Sequence, residues 1–149
     1  MRQPNNHYIN PNMARRLFFL LGLANSFLLI LIFIIRGRHL SFIESYGWIY
    51  LLLAIPAIYV FYRVQSDQKA TQYRIFLGLF LFYLLVEGLL DFAFKTDFRA
   101  NWAVLGPYIA LYNAMNYGFI VMPWKDSRKQ GILMLALFIL QLLVNYSTH

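Results

Sequence analysis

Five long apolar runs, separated by short polar connections, dominate this sequence of 149 residues. The first run covers residues 17–35 and is interrupted only by Asn25 and Ser26. A helix of about 20 apolar residues matches the hydrocarbon core of a bilayer, about 30 Å thick. Because these runs are apolar on all sides, they lack the polar face that a soluble helix presents to water. The sequence therefore predicts an all-α, polytopic transmembrane helical bundle.

The composition agrees with lipid as the solvent of this chain. Hydrophobic residues make up 60% of the sequence and charged residues only 13%, a more apolar balance than soluble domains show. The net charge of +7 lies in short basic clusters between the apolar runs, without a nucleic-acid-binding motif. We therefore expect the lipid bilayer, and no nucleic acid, as a partner. The absence of cysteine excludes disulfides and thiol chemistry.

The chain is expected to form one transmembrane domain, residues 17–149, after a cytoplasmic tail of residues 1–16. The predicted spans are residues 17–35, 44–62, 75–94, 102–124 and 131–146. The last run has 16 residues, about 24 Å of helix against a core of about 30 Å. Five spans are therefore predicted, or four if the last segment does not cross.

The second run has two features of its own. Tyr46, Trp48 and Tyr50 cluster at its start, where aromatic rings favour the headgroup level of a bilayer. Pro56 lies near its middle, and because proline lacks a backbone N–H, the helix is expected to kink there.

The distribution of lysine and arginine predicts the orientation. The tail and the second and fourth connections hold three basic residues each, nine in all, whereas the first and third connections hold two each. Under the positive-inside rule, the richer side faces the cytoplasm. We therefore expect a cytoplasmic N-terminus in a cell (inner or plasma) membrane.

Two carboxylates in the third run are the most informative residues. Glu87 and Asp91 lie four residues apart, so a helix places them on one face with Tyr83 and Lys95. A carboxylate within a span costs several kcal/mol unless it is paired, protonated or in contact with water. In one interpretation, Asp91 pairs with Lys95 and Glu87 only fixes helix packing. In the other, they line a pocket in the extracytoplasmic half, where Glu87 carries a proton or contacts a cationic headgroup.

Polar residues of other runs fall at matching depths. The further candidates for ligand binding or proton transfer are Tyr108, Tyr112, Asn113, Asn116 and Gln141. Asn25 either joins this site or makes an interhelical hydrogen bond, the commoner role of a lone asparagine in a span. The fourth run also carries small residues at every fourth position: Gly106, Ala110, Ala114 and Gly118. They predict a helix-packing stripe, inside the subunit or between subunits, and we favour the contact inside the subunit.

The connection KTDFRANW, residues 95–102, is a short turn that contains Asp97 and Arg99. It is either a lid over a pocket or an interfacial anchor with a solvated ion pair, and we favour the anchor. All three histidines lie outside the predicted spans, so we expect no haem, no metal site and no other cofactor.

The stretch EGLLDFAFKTDFRANW, residues 87–102, followed by Pro107 and Tyr108, resembles small uncharacterised multi-pass membrane proteins of prokaryotes. The resemblance implies a membrane location. It implies no activity, so no functional residue is transferred from it.

Three functions are compatible with the sequence. The first is a membrane protein whose polar pocket binds or transports a lipid, an amphiphile or a proton-coupled small molecule. The second is a lipid-modifying enzyme that uses Glu87 and Asp91 as acid and base, although two carboxylates on one helix are a weak signal for catalysis. The third is an accessory subunit of a larger membrane complex, and a homo-oligomer is also compatible. We favour the first, non-enzymatic function.

Overall fold

Helices account for almost all of the described chain. The structure, a computed structural model, describes residues 11–63, 68–94 and 98–148. Its elements are α1 (Pro11–Arg38), α2 (Leu40–Tyr46), a 3₁₀ segment (Gly47–Leu53), α3 (Ala54–Arg63), α4 (Gln68–Glu87), a π-helical segment (Gly88–Ala93), a 3₁₀ turn (Phe98–Ala100), α5 (Trp102–Asp126) and α6 (Arg128–Ser147). These ranges contain no strand, which confirms the all-α fold class.

Four stretches of the described chain are long and apolar enough to cross a membrane. They are Asn12–Arg38, Leu40–Arg63, Thr71–Ala93 and Arg128–Ser147. The last stretch begins at Arg128 rather than at Gly131, so α6 has 20 residues, about 30 Å of helix. Of the long helices, α5 is the one that does not belong to these four stretches. The sequence had instead pointed to the final helix as the segment too short to cross.

The position of α5 explains its composition. It packs against α4, α6 and α1, and it buries Tyr112, Met115, Asn116 and Phe119. The part of a helix that is covered by its neighbours does not need an apolar side chain at every position, because polar groups there can bond to those neighbours. Tyr108 and Tyr112 form such bonds to α4 and α6, and the tyrosines and asparagines of α5 together lower its hydropathy.

Contacts between helix ends show in which direction each helix runs through the bundle. Asp126, at the end of α5, lies 3.4 Å (Oδ1) from Arg15 Nε of α1, and its Oδ2 accepts a hydrogen bond from the Tyr73 hydroxyl of α4 at 3.2 Å. At the opposite end, α1 and α6 finish together, since a Cβ on Gly37 would lie 2.8 Å from Thr148 Cβ. We name these the Asp126 end and the Arg36 end. The helices α1, α4 and α6 run towards the Arg36 end, and α5 runs back.

Both the interior of the bundle and its outer surface combine aliphatic and aromatic side chains. The buried Phe119 ring lies 5.2 Å from the Phe18 ring and 5.1 Å from the Phe80 ring, measured between centroids. On the outside, Phe27 and Ile55 are more than half exposed. So extensive an apolar surface is typical of contact with lipid or with another protein.

The second membrane-length stretch, Leu40–Arg63, changes helix type just before Pro56. The 3₁₀ segment ends at Leu53, and α3 begins two residues before the proline. A proline ring clashes with the carbonyl four residues earlier, here that of Leu52, and offers it no N–H. The expected interruption therefore takes the form of a tighter helix that leads into α3.

The small-residue stripe of α5 packs inside the subunit over only part of its length. A Cβ on Gly118 would lie 2.3 Å from Phe76 Cδ1, so α4 packs directly against this glycine. Gly106 and Ala110 are exposed, and no described atom of another helix lies within 4 Å of a Cβ on Gly106. Four residues turn a helix by about 400°, so the stripe drifts by about 40° at each step. The predicted internal contact therefore applies to Gly118 and not to Gly106.

Gly118→Ala is expected to destabilise the protein by about 1–3 kcal/mol, because the new methyl group would overlap the Phe76 ring. Gly106→Ala is the matched control on the same helix and should leave stability unchanged or slightly higher. The measurement is the melting temperature of the purified chain in mild detergent, followed by tryptophan fluorescence. Equal melting temperatures for the two variants would contradict the close contact between α4 and α5.

Candidate functional site

A chain of hydrogen bonds joins α4 to α5 near the end of α4. The Tyr108 hydroxyl donates to Glu87 Oε2 at 2.5 Å, and the hydroxyl oxygens of Tyr83 and Tyr108 lie 3.0 Å apart. Since Tyr108 has one proton to give and directs it at Glu87, Tyr83 is the donor in the second bond. Tyr83 is fully buried and Glu87 is partly buried. The structure thus brings three predicted site residues together.

Local helix geometry positions these groups. Tyr83 and Glu87 lie one turn apart on α4, so both side chains reach the same part of α5. The start of α5 is fixed by Asn101, whose side-chain oxygen accepts a hydrogen bond from the Ala103 N–H at 3.0 Å. Tyr108 follows within the next two turns and therefore lies opposite the end of α4.

A second polar pair connects α5 to α6. The Tyr112 hydroxyl donates to Gln141 Oε1 at 2.7 Å, and both side chains are buried. The Tyr83 ring lies 5.6 Å from the Tyr108 ring and 6.0 Å from the Tyr112 ring, measured between centroids. The three tyrosines therefore join the two hydrogen-bonded groups into one polar interior.

The two predicted asparagines of α5 bond to their own helix. Asn116 Nδ2 donates to the Tyr112 carbonyl at 3.0 Å, and Asn113 Nδ2 donates to the Ile109 carbonyl at 2.9 Å. Asn116 is buried, whereas Asn113 is exposed. The structure thus places neither amide in direct hydrogen bonding with Glu87.

Asp91 has a partner that the sequence analysis did not consider. It lies in the π-helical segment after Glu87, and its Oδ1 lies 3.6 Å from Arg99 Nη1. Lys95, the expected partner, lies outside the described residues. Arg99, which we interpreted as part of an interfacial anchor, therefore contacts the candidate site. A π-helical segment often marks a functional position, and here it carries the second carboxylate.

Tyr50 is a member of the polar interior that sequence reasoning missed. Its hydroxyl donates to Asn25 Oδ1, and the 3₁₀ segment that carries it packs against the π-helical segment that follows Glu87. Tyr50 is 3% exposed, whereas Tyr46 is 53% exposed, although an α-helix would place both on one face. A 3₁₀ helix turns about 120° per residue, so four residues separate them by about 120°. Pro56 was the sequence signal that the helix type changes here.

Two buried amide groups have hydrogen-bonding capacity left. Within the described part of the chain, Asn25 Nδ2 and Gln141 Nε2 have no hydrogen-bond partner. Both side chains are fully buried, and each already accepts a hydrogen bond through its oxygen. Because a buried donor without a partner costs about 1–3 kcal/mol, the interior is suited to take up a further acceptor such as water.

A groove of about 1010 Å³ opens between α1, α5 and α6 at the Arg36 end. Its apolar lining includes Phe33, Leu105, Ile109, Ile139, Leu142 and Leu143. Tyr108 and Tyr112 line it as well, so the groove borders the polar interior. Asn113 and the arginines at positions 36 and 99 add polar groups to the rim.

The site therefore combines a mainly apolar groove with the polar interior that borders it. Comparisons with protein-family models, with curated proteins and with solved structures found no match to this chain. Its function must accordingly follow from the geometry of the groove and of the polar interior.

Tyr108→Phe is expected to lower the free energy of unfolding by about 1–3 kcal/mol, because it removes the hydroxyl that joins Tyr83 to Glu87. Tyr117→Phe is the matched control, since Tyr117 lies on the same helix and is 60% exposed. Titration from a mild into a denaturing detergent, followed by tryptophan fluorescence, measures the difference. Equal stability of the two variants would show that the linkage contributes nothing to the fold.

Proposed function

We propose that this chain is an integral membrane protein that binds a lipid or another amphiphile in the groove between α1, α5 and α6. The observation that carries the proposal is the double role of Tyr108. Its side chain lines the groove, and its hydroxyl donates to Glu87 at 2.5 Å. A ligand in the groove would meet apolar side chains along its length and polar groups at its wall and rim. That combination suits an amphiphile.

The membrane location is supported by length, composition and surface. Four helical stretches of the described chain are long and apolar enough to cross a bilayer, and large apolar side chains cover the outside. In this proposal α5 is a fifth crossing, because its 25 residues run between the same two ends as its neighbours. The lipid bilayer is then the direct environment of the groove.

The orientation follows from charge. The tail and the connections at the Asp126 end hold nine of the 13 lysine and arginine residues. The positive-inside rule then places the Asp126 end in the cytoplasm and the groove in the extracytoplasmic half. Proton transfer through Glu87 stays a prediction from the sequence.

The absence of cysteine allows a direct test of five crossings, since each single-cysteine variant carries one thiol. Ser147→Cys, at the end of α6, is expected to react in intact cells with a maleimide that cannot cross membranes. Lys129→Cys, at the exposed start of the same helix, should react only after the cells are opened. Labelling of both variants in intact cells, or of neither, would contradict this topology.

Leu142→Trp is expected to reduce lipid binding, because the larger side chain fills part of the groove. Leu133→Trp is the matched control, since both leucines lie on α6 and are exposed to a similar extent, 45% for Leu133 and 42% for Leu142. Native mass spectrometry of the purified chain measures the fraction that carries lipid, and gel filtration checks the fold. If the unmodified chain carries no lipid, or if the two variants retain it equally, the groove is not a binding site.

A further inference from the structure

Two asparagine side chains from different helices line the groove. Asn113 belongs to α5 and Asn145 belongs to α6. Asn113 is exposed and lies near the middle of the 25 residues of α5. In the proposed topology its amide therefore faces the groove at the depth of the hydrocarbon core, where a polar group is costly unless a partner bonds to it. At that depth the occupant of the groove has to supply the partner.

Both amides have hydrogen bonds to offer to such an occupant. A carboxamide has two N–H donors and one acceptor oxygen. Asn113 uses one donor in its bond to the Ile109 carbonyl at 2.9 Å, which leaves the other donor and the oxygen. Asn145 accepts a hydrogen bond from Thr148 Oγ1 through its backbone carbonyl at 3.3 Å, and its side chain bonds to no described residue. Each amide can therefore donate and accept at the same time.

We propose that the occupant of the groove is an uncharged amphiphile with a hydroxyl-bearing headgroup, which Asn113 and Asn145 recognise; this inference rests on the proposed function. A hydroxyl group both donates and accepts, as the two amides do. A phosphate group offers mainly acceptors. An uncharged headgroup also suits the depth of Asn113, because a charge is strongly disfavoured near the middle of a bilayer. The hydrocarbon part would lie against Ile139 and Leu142.

The spacing of the two amides fits a small headgroup. Tyr112 and Gln141 are hydrogen-bonded between α5 and α6, so they mark one depth in the bundle. Asn113 follows Tyr112 by one residue, and Asn145 follows Gln141 by four. Because α5 and α6 run in opposite directions, the two offsets add up to about 7.5 Å in depth. Two hydrogen bonds of about 2.9 Å each and a glycerol backbone cover that distance.

The groove also has room for such a lipid. Its volume of about 1010 Å³ is at the upper limit of pockets that hold small molecules, about 300–1,000 Å³. Leu143, one of its lining residues, is 62% exposed on the outer surface of α6. The groove is therefore open along its side, and a lipid with two acyl chains could enter from the surrounding bilayer.

The experiment offers the purified chain dioleoylglycerol and its acetyl ester, in which the free hydroxyl is blocked, and measures the bound fraction of each by native mass spectrometry. The unmodified chain is expected to prefer dioleoylglycerol. Asn113→Leu and Asn145→Leu should each lower this preference about fivefold, as expected for the loss of one hydrogen bond, and leave binding of the acetyl ester unchanged. Tyr117→Phe is the matched control, because it removes an exposed polar group of α5 that lies outside the groove.

Three outcomes would overturn the headgroup assignment. Equal binding of the two lipids by the unmodified chain would show that the hydroxyl is not recognised. An unchanged preference in either asparagine variant would remove that amide from the site. An equal loss in Tyr117→Phe would indicate a general effect of polar groups on α5. In each case, lipid binding that Leu142→Trp still reduces would leave the proposed function intact, whereas absence of any lipid binding would end both proposals.

Discussion

The polar side chains that bridge helices inside this bundle bond to one another, because most of their other neighbours are apolar. A hydroxyl or amide left alone there costs about 1–3 kcal/mol, comparable to a large core mutation. The hydrogen bonds that meet this requirement run between helices: Tyr108 to Glu87, Tyr112 to Gln141, and Tyr50 to Asn25. Apolar contacts tolerate repacking. The polar bonds therefore select one alignment of α4, α5 and α6 along their axes, and one alignment of α1 with the 3₁₀ segment.

The groove depends on this alignment. Tyr108 can serve as its polar wall only because Glu87 and Tyr83 hold its hydroxyl from the other side. Arg99 reaches the rim from a short turn whose neighbour across the bundle is Asp91. A polar interior, an apolar wall and a basic rim therefore lie in one continuous region. Each part comes from a different helix or turn, and none of them would form a binding surface alone.

Sequence periodicity was sufficient for the parts of the structure that are α-helical. The apolar runs predicted the helices, spacing along the third run grouped Tyr83 with Glu87, and matching depth in the membrane added Tyr108. It was insufficient where the helix type changes, because the 3₁₀ segment turns Tyr50 inwards. Arg99 lies in a turn, where no periodicity applies. The groove is formed by helices distant in sequence, so no local pattern could reveal it.

The seven-residue 3₁₀ segment also lengthens the stretch Leu40–Arg63. A 3₁₀ helix rises about 2.0 Å per residue against about 1.5 Å in an α-helix, so the segment is about 3.5 Å longer than an α-helix of equal residue number. It is also slimmer, and a Cβ on Gly47 would lie only 3.2 Å from Phe92 Cζ. The stretch Leu40–Arg63 therefore suits a thicker hydrocarbon layer than its 24 residues alone would suggest.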